Sequence, residues 1–202
     1  MIKLYVFDQG GVICRSFDIG PEAAARLGIC LEEWRRLALP DIQAFMRGDL
    51  DAAVYWRRFE ERSGLRVGED YWETLFRPTL DAPTFALARE LGESGRVVCG
   101  TNTIAAHYEI HRGLGQYDCF HRVYASHLLR RAKPEAGFYA SILESEGVRP
   151  DEAFFTDDYP ENVEAAAALG IHARLYSDAD ALRRDLAALG APVRGALAAE
   201  AG

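Results

Sequence analysis

The chain has 202 residues, 49% hydrophobic and 27% charged, values that exclude a disordered, collagenous or fibrous polymer. That length suits one domain with an elaboration and falls short of a full eight-unit βα barrel, typically ~250 residues. Thirty-one acidic residues against 23 basic ones leave a net charge of −8, so the average surface repels phosphate backbones and no nucleic-acid partner is expected.

The first run, residues 2–7, is apolar and reads as a strand buried on both faces. Asp8 cuts it before a secretory core of ~7–15 residues could form. No later apolar run reaches the ~18 residues of a membrane span. A cytoplasmic protein without membrane contact is expected. Residues 17–81 carry no convincing strand. Helical spacing runs there over 21–27, 31–37, 41–47, 51–62 and 69–76, with Trp34, Trp56 and Trp72 alongside Phe45, Tyr55, Phe59, Tyr71 and Phe76. Aromatics at helical spacing serve packing first, so this segment predicts a helical insert with its own core.

Beyond the insert, helices are predicted over 84–91, 105–114, 135–146, 162–169 and 179–189, interleaved with strands at 96–99, 122–125, 153–155 and 172–176. Pro134 suits a first helical position, and Gly147 and Gly170 suit C-terminal caps. This alternation predicts an α/β fold, a Rossmann-like doubly wound parallel sheet with right-handed crossovers. Residues 1–16 and 82–202 would form its core, and 17–81 an α-helical cap over a cleft. Residues 193–202, rich in Ala and Gly, are expected to fray. Cys14, Cys30, Cys99 and Cys119 form no CxxC pair and are expected to be reduced and mostly buried.

In such a sheet, ligands bind outside the carboxyl ends of the strands. Asp8 ends the first strand, Thr101 and Asn102 the second, and Asp157 and Asp158 the fourth, while Lys133 follows the third. Three carboxylates, a hydroxyl and a lysine around one crevice suit Mg²⁺ and a phosphoryl group. Magnesium takes hard oxygen ligands, commonly one or two carboxylates plus substrate oxygens. Lysine offsets the negative charge, and a carboxylate beside it stays ionised as a nucleophile.

On these four motifs, in this order and at these strand ends, the chain resembles the haloacid dehalogenase superfamily of hydrolases, with a helical cap after the first motif. The resemblance implies that Asp8 is the nucleophile forming an aspartyl-phosphate. It implies that Thr101 and Asn102 contact phosphate, that Lys133 bridges nucleophile and phosphoryl oxygens, and that Asn162 steadies the metal-binding loop. It further implies magnesium held by Asp8, the Gly10 carbonyl, Asp158 and, directly or through water, Asp157. The expected substrate is a small phosphorylated molecule, sugar phosphates among the class, and the expected assembly a monomer or homodimer. The cap is expected to open and close on hinges near 14–17 and 81–84.

One position departs from the common phosphatase pattern. A second aspartate usually stands two residues after the nucleophile, and here that residue is Gly10. General acid–base catalysis is worth ~10²–10⁴-fold, so three readings stand side by side. The first is a phosphatase in which water, Gln9 or a cap residue compensates. The second is a 2-haloacid dehalogenase using Asp8 on carbon, against which the Asp157–Asp158 pair argues. The third is a catalytically weak binding or regulatory protein, against which the retention of all five polar motif residues argues. His107 and His111, four apart on one helix, lack a third zinc ligand and are expected to serve packing.

Overall fold

The computed structural model describes residues 1–194. The chain enters through β1 (Leu4–Phe7) and β2 (Cys14–Arg15). It then forms five helices, α1 (Gly20–Leu27), α2 (Leu31–Ala38), α3 (Ile42–Met46), α4 (Ala52–Ser63) and α5 (Tyr71–Thr74), and returns through β3 (Thr79–Leu80). The remainder alternates: α6 (Ala82–Gly92), β4 (Arg96–Thr101), α7 (Ala105–Gly113), β5 (Arg122–Ala125), α8 (Ser126–Leu129), α9 (Ala136–Glu146), β6 (Ala153–Asp157), α10 (Pro160–Ala168), β7 (His172–Leu175) and α11 (Ala179–Ala188). Polar residues set the boundaries. The carboxylates of Asp51, Asp81 and Asp178 accept N-terminal N–H groups of α4, α6 and α11. Gly147 closes α9 at φ 66°, a conformation that costs glycine little.

Five strands make one parallel sheet in the order β5-β4-β1-β6-β7. The chain winds outward from β1 on one side and then returns to wind outward on the other, so the topological switch point lies at β1. Alternation along β1 sends Leu4 and Val6 to one face, among Phe138, Ile142 and Ala166 of α9 and α10. Tyr5 and Phe7 go to the other, among Leu87, Leu91, Leu182 and Leu186 of α6 and α11. The result is the α/β sandwich predicted, with each of its five strands at the expected place.

Three expectations need correction. The segment 17–81 does contain a strand: Thr79–Leu80 pairs antiparallel with Cys14–Arg15, stitching together the two crossings to the helical insert. Two residues are too short to show any period. The helix expected over 41–47 forms as α3, preceded by a 3-10 turn at Leu39–Asp41, but that expected over 69–76 shrinks to α5. Val193 packs on the α6–α11 face and Arg194 pairs with Glu93, so these two are pinned; the rest of the segment expected to fray, 195–202, lies outside the described residues.

The insert has its own aromatic core, as predicted. Trp34, Tyr55, Trp56, Phe59 and Phe76 are buried in it, with Phe45 stacked on Tyr55 at 4.8 Å. This core does not stop at the insert. Ile104, Ala106 and Ile110 beside and along α7 join it, and Phe76 stacks on His107 at 3.5 Å. A second attachment runs from the turn after α3 to α8, where the Ser126 hydroxyl donates to the Met46 carbonyl at 2.6 Å and Arg47 pairs with Glu135.

Candidate active site

Adjacent and parallel, β4, β1 and β6 bring their carboxyl ends to one edge of the sheet, where a doubly wound fold opens its crevice, and the loop after α8 delivers a lysine there. Lys133 is 2% exposed, and its Nζ donates to Asp8 Oδ1 and Asp157 Oδ2, both at 2.6 Å. A buried ammonium is tolerable only when paired and hydrogen-bonded, and here two carboxylates do both. Burial alone would lower the Lys133 pKa, but the charges of Asp8 and Asp157 outweigh it and raise the pKa. Asn102 fixes the lysine from behind: Asn102 Nδ2 donates to the Lys133 carbonyl at 2.9 Å and Lys133 N donates to Asn102 Oδ1 at 2.8 Å. Each end of that amide makes one bond to Lys133, which leaves the second Nδ2 hydrogen and the Asn102 backbone for the phosphate contact expected from sequence.

One oxygen each from Asp8, Asp157 and Asp158 lies within 4.8 Å of the others. The three differ in how far protein groups already satisfy them. Asp157 Oδ1 accepts from Tyr159 N at 2.8 Å and Asn162 Nδ2 at 3.0 Å, while Oδ2 takes Lys133. Asp158 Oδ1 is buried with no hydrogen-bond partner among the described residues. Three carboxylates against one ammonium leave two excess negative charges when all are ionised. Burial, opposed by Lys133, pushes the Asp8 pKa up to about 7. Burial and then Asp157 push Asp158 up to about 6. An open buried carboxylate oxygen, with two more within reach and surplus negative charge, fits a hard divalent cation.

Gly11, unremarked in the sequence, brings Asp158 close. It sits at φ 78°, and a Cβ there would stand 2.1 Å from Asp158 Oδ2. The preceding residue, Gly10, has no such conformational constraint, and the atoms nearest a Cβ on it would be those of the Phe17 ring, from 3.5 Å. Gln9 points away from the crevice: it is 1% exposed, with its amide nitrogen 3.3 Å from His111 Nδ1 and its oxygen accepting from Cys99. Thr101 is buried at the end of β4, and its hydroxyl makes no hydrogen bond among the described residues. His107 donates Nε2–H to the Trp72 carbonyl at 2.8 Å and His111 contacts Gln116 at 2.6 Å, so both serve packing and neither completes a metal site.

A further residue is visible only in three dimensions. From β2, Arg15 donates to the Gly11 carbonyl, to Asp81 Oδ2 at 3.0 Å and to the Tyr176 hydroxyl at 3.1 Å. It thus ties the loop after β1 to the returning crossing and to the residue after β7. Nothing in local spacing marks it, because its partners stand 66 and 161 residues away.

The chain is 29% identical over 183 residues to the sesquiterpene phosphatase astK of Aspergillus oryzae, covering 84% of this chain and 87% of that one. It is 34% identical over 67 residues to the chloroplast flavin mononucleotide hydrolase 1 of Arabidopsis thaliana, which is 33% of this chain and 27% of that protein. Among solved structures, a wild-type HAD family enzyme, bt-2542 of Bacteroides thetaiotaomicron, in complex with magnesium and inorganic phosphate, superposes with a TM-score of 0.71 at 22% identity. That match covers 88% of this chain and 96% of that one. The L-2-haloacid dehalogenase of Xanthobacter autotrophicus superposes with a TM-score of 0.64 at 21% identity, covering 96% and 85%. A family model described as haloacid dehalogenase-like hydrolase matches residues 2–170, and with that span the chain belongs to the haloacid dehalogenase-like hydrolases.

Proposed function

We propose that this hydrolase is a Mg²⁺-dependent phosphatase of small phosphate monoesters, sugar phosphates among its substrates, acting through an aspartyl-phosphate on Asp8. The observation that carries the reading is the buried Lys133, bonded at 2.6 Å to both Asp8 and Asp157 beside the open carboxylate of Asp158. Asp8 attacks phosphorus with its carboxylate. Lys133 keeps that carboxylate ionised and meets the phosphoryl oxygens as they approach. The Thr101 hydroxyl and backbone N–H groups of the loop after β1 complete the anion cradle. Asp8, the Gly10 carbonyl and Asp158 hold the metal, and Asp157, already satisfied by Lys133, Tyr159 and Asn162, orients from behind. When bound, magnesium neutralises charge on the transferring phosphoryl group. The helical insert covers the crevice as a cap and excludes bulk water.

Two further observations support phosphate over haloacid. Adjacent Asp157 and Asp158 favour a metal site, which attack on carbon does not need, and the relatives spanning most of the chain include a phosphatase. The test is phosphate release from a panel of phosphate monoesters, run beside halide release from 2-haloacids. Phosphate release that requires Mg²⁺ and falls to background in Asp8→Asn is expected. Halide release in EDTA would overturn the reading. Saturable Mg²⁺ binding with no turnover on any substrate would replace it with the regulatory one.

A further inference from the structure

We propose that the substrates are phosphate compounds whose leaving oxygen departs as an anion without protonation, aryl phosphates foremost, because among the described residues every carboxylate beside Asp8 is committed to Lys133 or to the proposed metal. This rests on the phosphatase reading and ranks its substrates, setting alkyl esters such as sugar phosphates below aryl ones.

The inventory around Asp8 is short. Lys133 is locked between Asp8 and Asp157, and Asp157 accepts at both oxygens. Asp158 has an open buried oxygen, which the metal would take. Cys14 is fully buried, and the Gln9 amide faces His111 on the far side of the loop. Residue 10, two positions beyond the nucleophile, could carry a Cβ in ordinary van der Waals contact and carries none. What stands where that side chain would project is the ring of Phe17, half-buried and packed on the insert core. An acid is thus replaced by an apolar, aromatic surface.

The chemistry follows by bond accounting. Asp8 forms a P–O bond as the bond from phosphorus to the leaving oxygen breaks, and the electron pair stays on that oxygen. An aliphatic alkoxide, whose conjugate acid is about as weak as water at pKa ~15.7, needs a proton in the transition state. A phenolate, with conjugate acid near pKa ~10 or below, does not, and it takes its proton from solvent afterwards. In the second step water attacks phosphorus, the bond to Asp8 breaks, and the pair returns to the carboxylate. That oxygen also leaves unprotonated, but the attacking water must shed a proton with no base beside it. Formation of the aspartyl-phosphate is therefore fast with acidic leaving groups, and its hydrolysis is slow.

The experiment is a leaving-group series with Mg²⁺-loaded protein: substituted phenyl phosphates from nitrophenyl to unsubstituted, and alkyl phosphates such as glycerol phosphate. The kcat/KM for aryl substrates should exceed that for alkyl ones by at least ~10²-fold, the lower end of a general acid's contribution, and nitrophenol should appear in a burst stoichiometric with enzyme. Gly10→Asp should narrow the aryl-to-alkyl ratio at least ~10-fold. Equal kcat/KM across the series in the wild type would overturn the proposal while leaving the phosphatase reading intact. Should Tyr159→Phe turn such a flat series steep, the proton donor is that phenol. Phosphate release from none of the compounds would remove both.

Discussion

Lys133 is the residue on which the candidate site balances, because it is the one cation among the buried groups at Asp8, Asp157 and Asp158. Lys133→Met keeps the volume and leaves both carboxylates without their cation, Asp157 retaining only Tyr159 N and Asn162 as donors. Removing one member of a buried ion pair costs about 3–5 kcal/mol, and that loss is expected in urea unfolding at pH 8. It should shrink toward pH 5, where protonation neutralises Asp8. Asp158 gives the complementary pH test. Its folded pKa of about 6 stands above the ordinary aspartate value of 3.8, so its ionised form destabilises the metal-free fold above that window and the penalty vanishes below it. In EDTA, Asp158→Asn should therefore melt at a higher temperature than wild type at pH 8, with the advantage fading as the pH falls through about 6 toward 4. Adding Mg²⁺ should reverse the order, since only the wild type presents the open oxygen. At this scale the motif carboxylates and the lysine are legible in sequence because each ends or follows a strand. Gly11 and the clamp of Asn102 on Lys133 are not, because their meaning lies in contacts 147 and 31 residues away along the chain.

Among elements, the strands of the large sheet are legible because burial on both faces demands unbroken apolar runs such as 4–7 and 153–155. The ribbon of β2 and β3 is not, since two residues carry no periodicity and their pairing spans the whole insert. What holds so short a ribbon is side-chain chemistry at its edge. Asp81 has two tasks there, capping α6 through Thr84 N at 3.1 Å and pairing with Arg15 at 3.0 Å. Substitution separates them. Asp81→Asn keeps a good cap and loses the ion pair, whereas Asp81→Ala loses both, so Ala should be less stable than Asn by about 1 kcal/mol, the worth of an N-cap. Equal midpoints in urea for the two variants would show that the cap contributes nothing and the ion pair is the whole of the Asp81 role.

For the molecule as a whole, the decisive feature is that the insert and α7 share one apolar core. A lid swinging on 14–17 and 81–84 would have to pull Phe76 off His107, bare Ile104, and break the Ser126 and Glu135 contacts with the turn after α3. Burying a side chain such as Phe or Ile is worth ~1.5–3 kcal/mol each, so such an opening would cost a large part of a stability of roughly 5–15 kcal/mol. Substrate access is then expected from small movements at the mouth of the crevice, with the insert remaining attached. The chain carries its own probe for this: all three tryptophans lie in the insert, while the sheet and its helices dominate the circular dichroism. If insert and core are one cooperative unit, tryptophan fluorescence and far-UV circular dichroism should trace the same urea transition with a single midpoint. Phe76→Ala, which empties the shared seam, should lower both midpoints together. A fluorescence transition well ahead of the dichroism transition would instead mark the insert as an independently melting cap and restore the swinging lid.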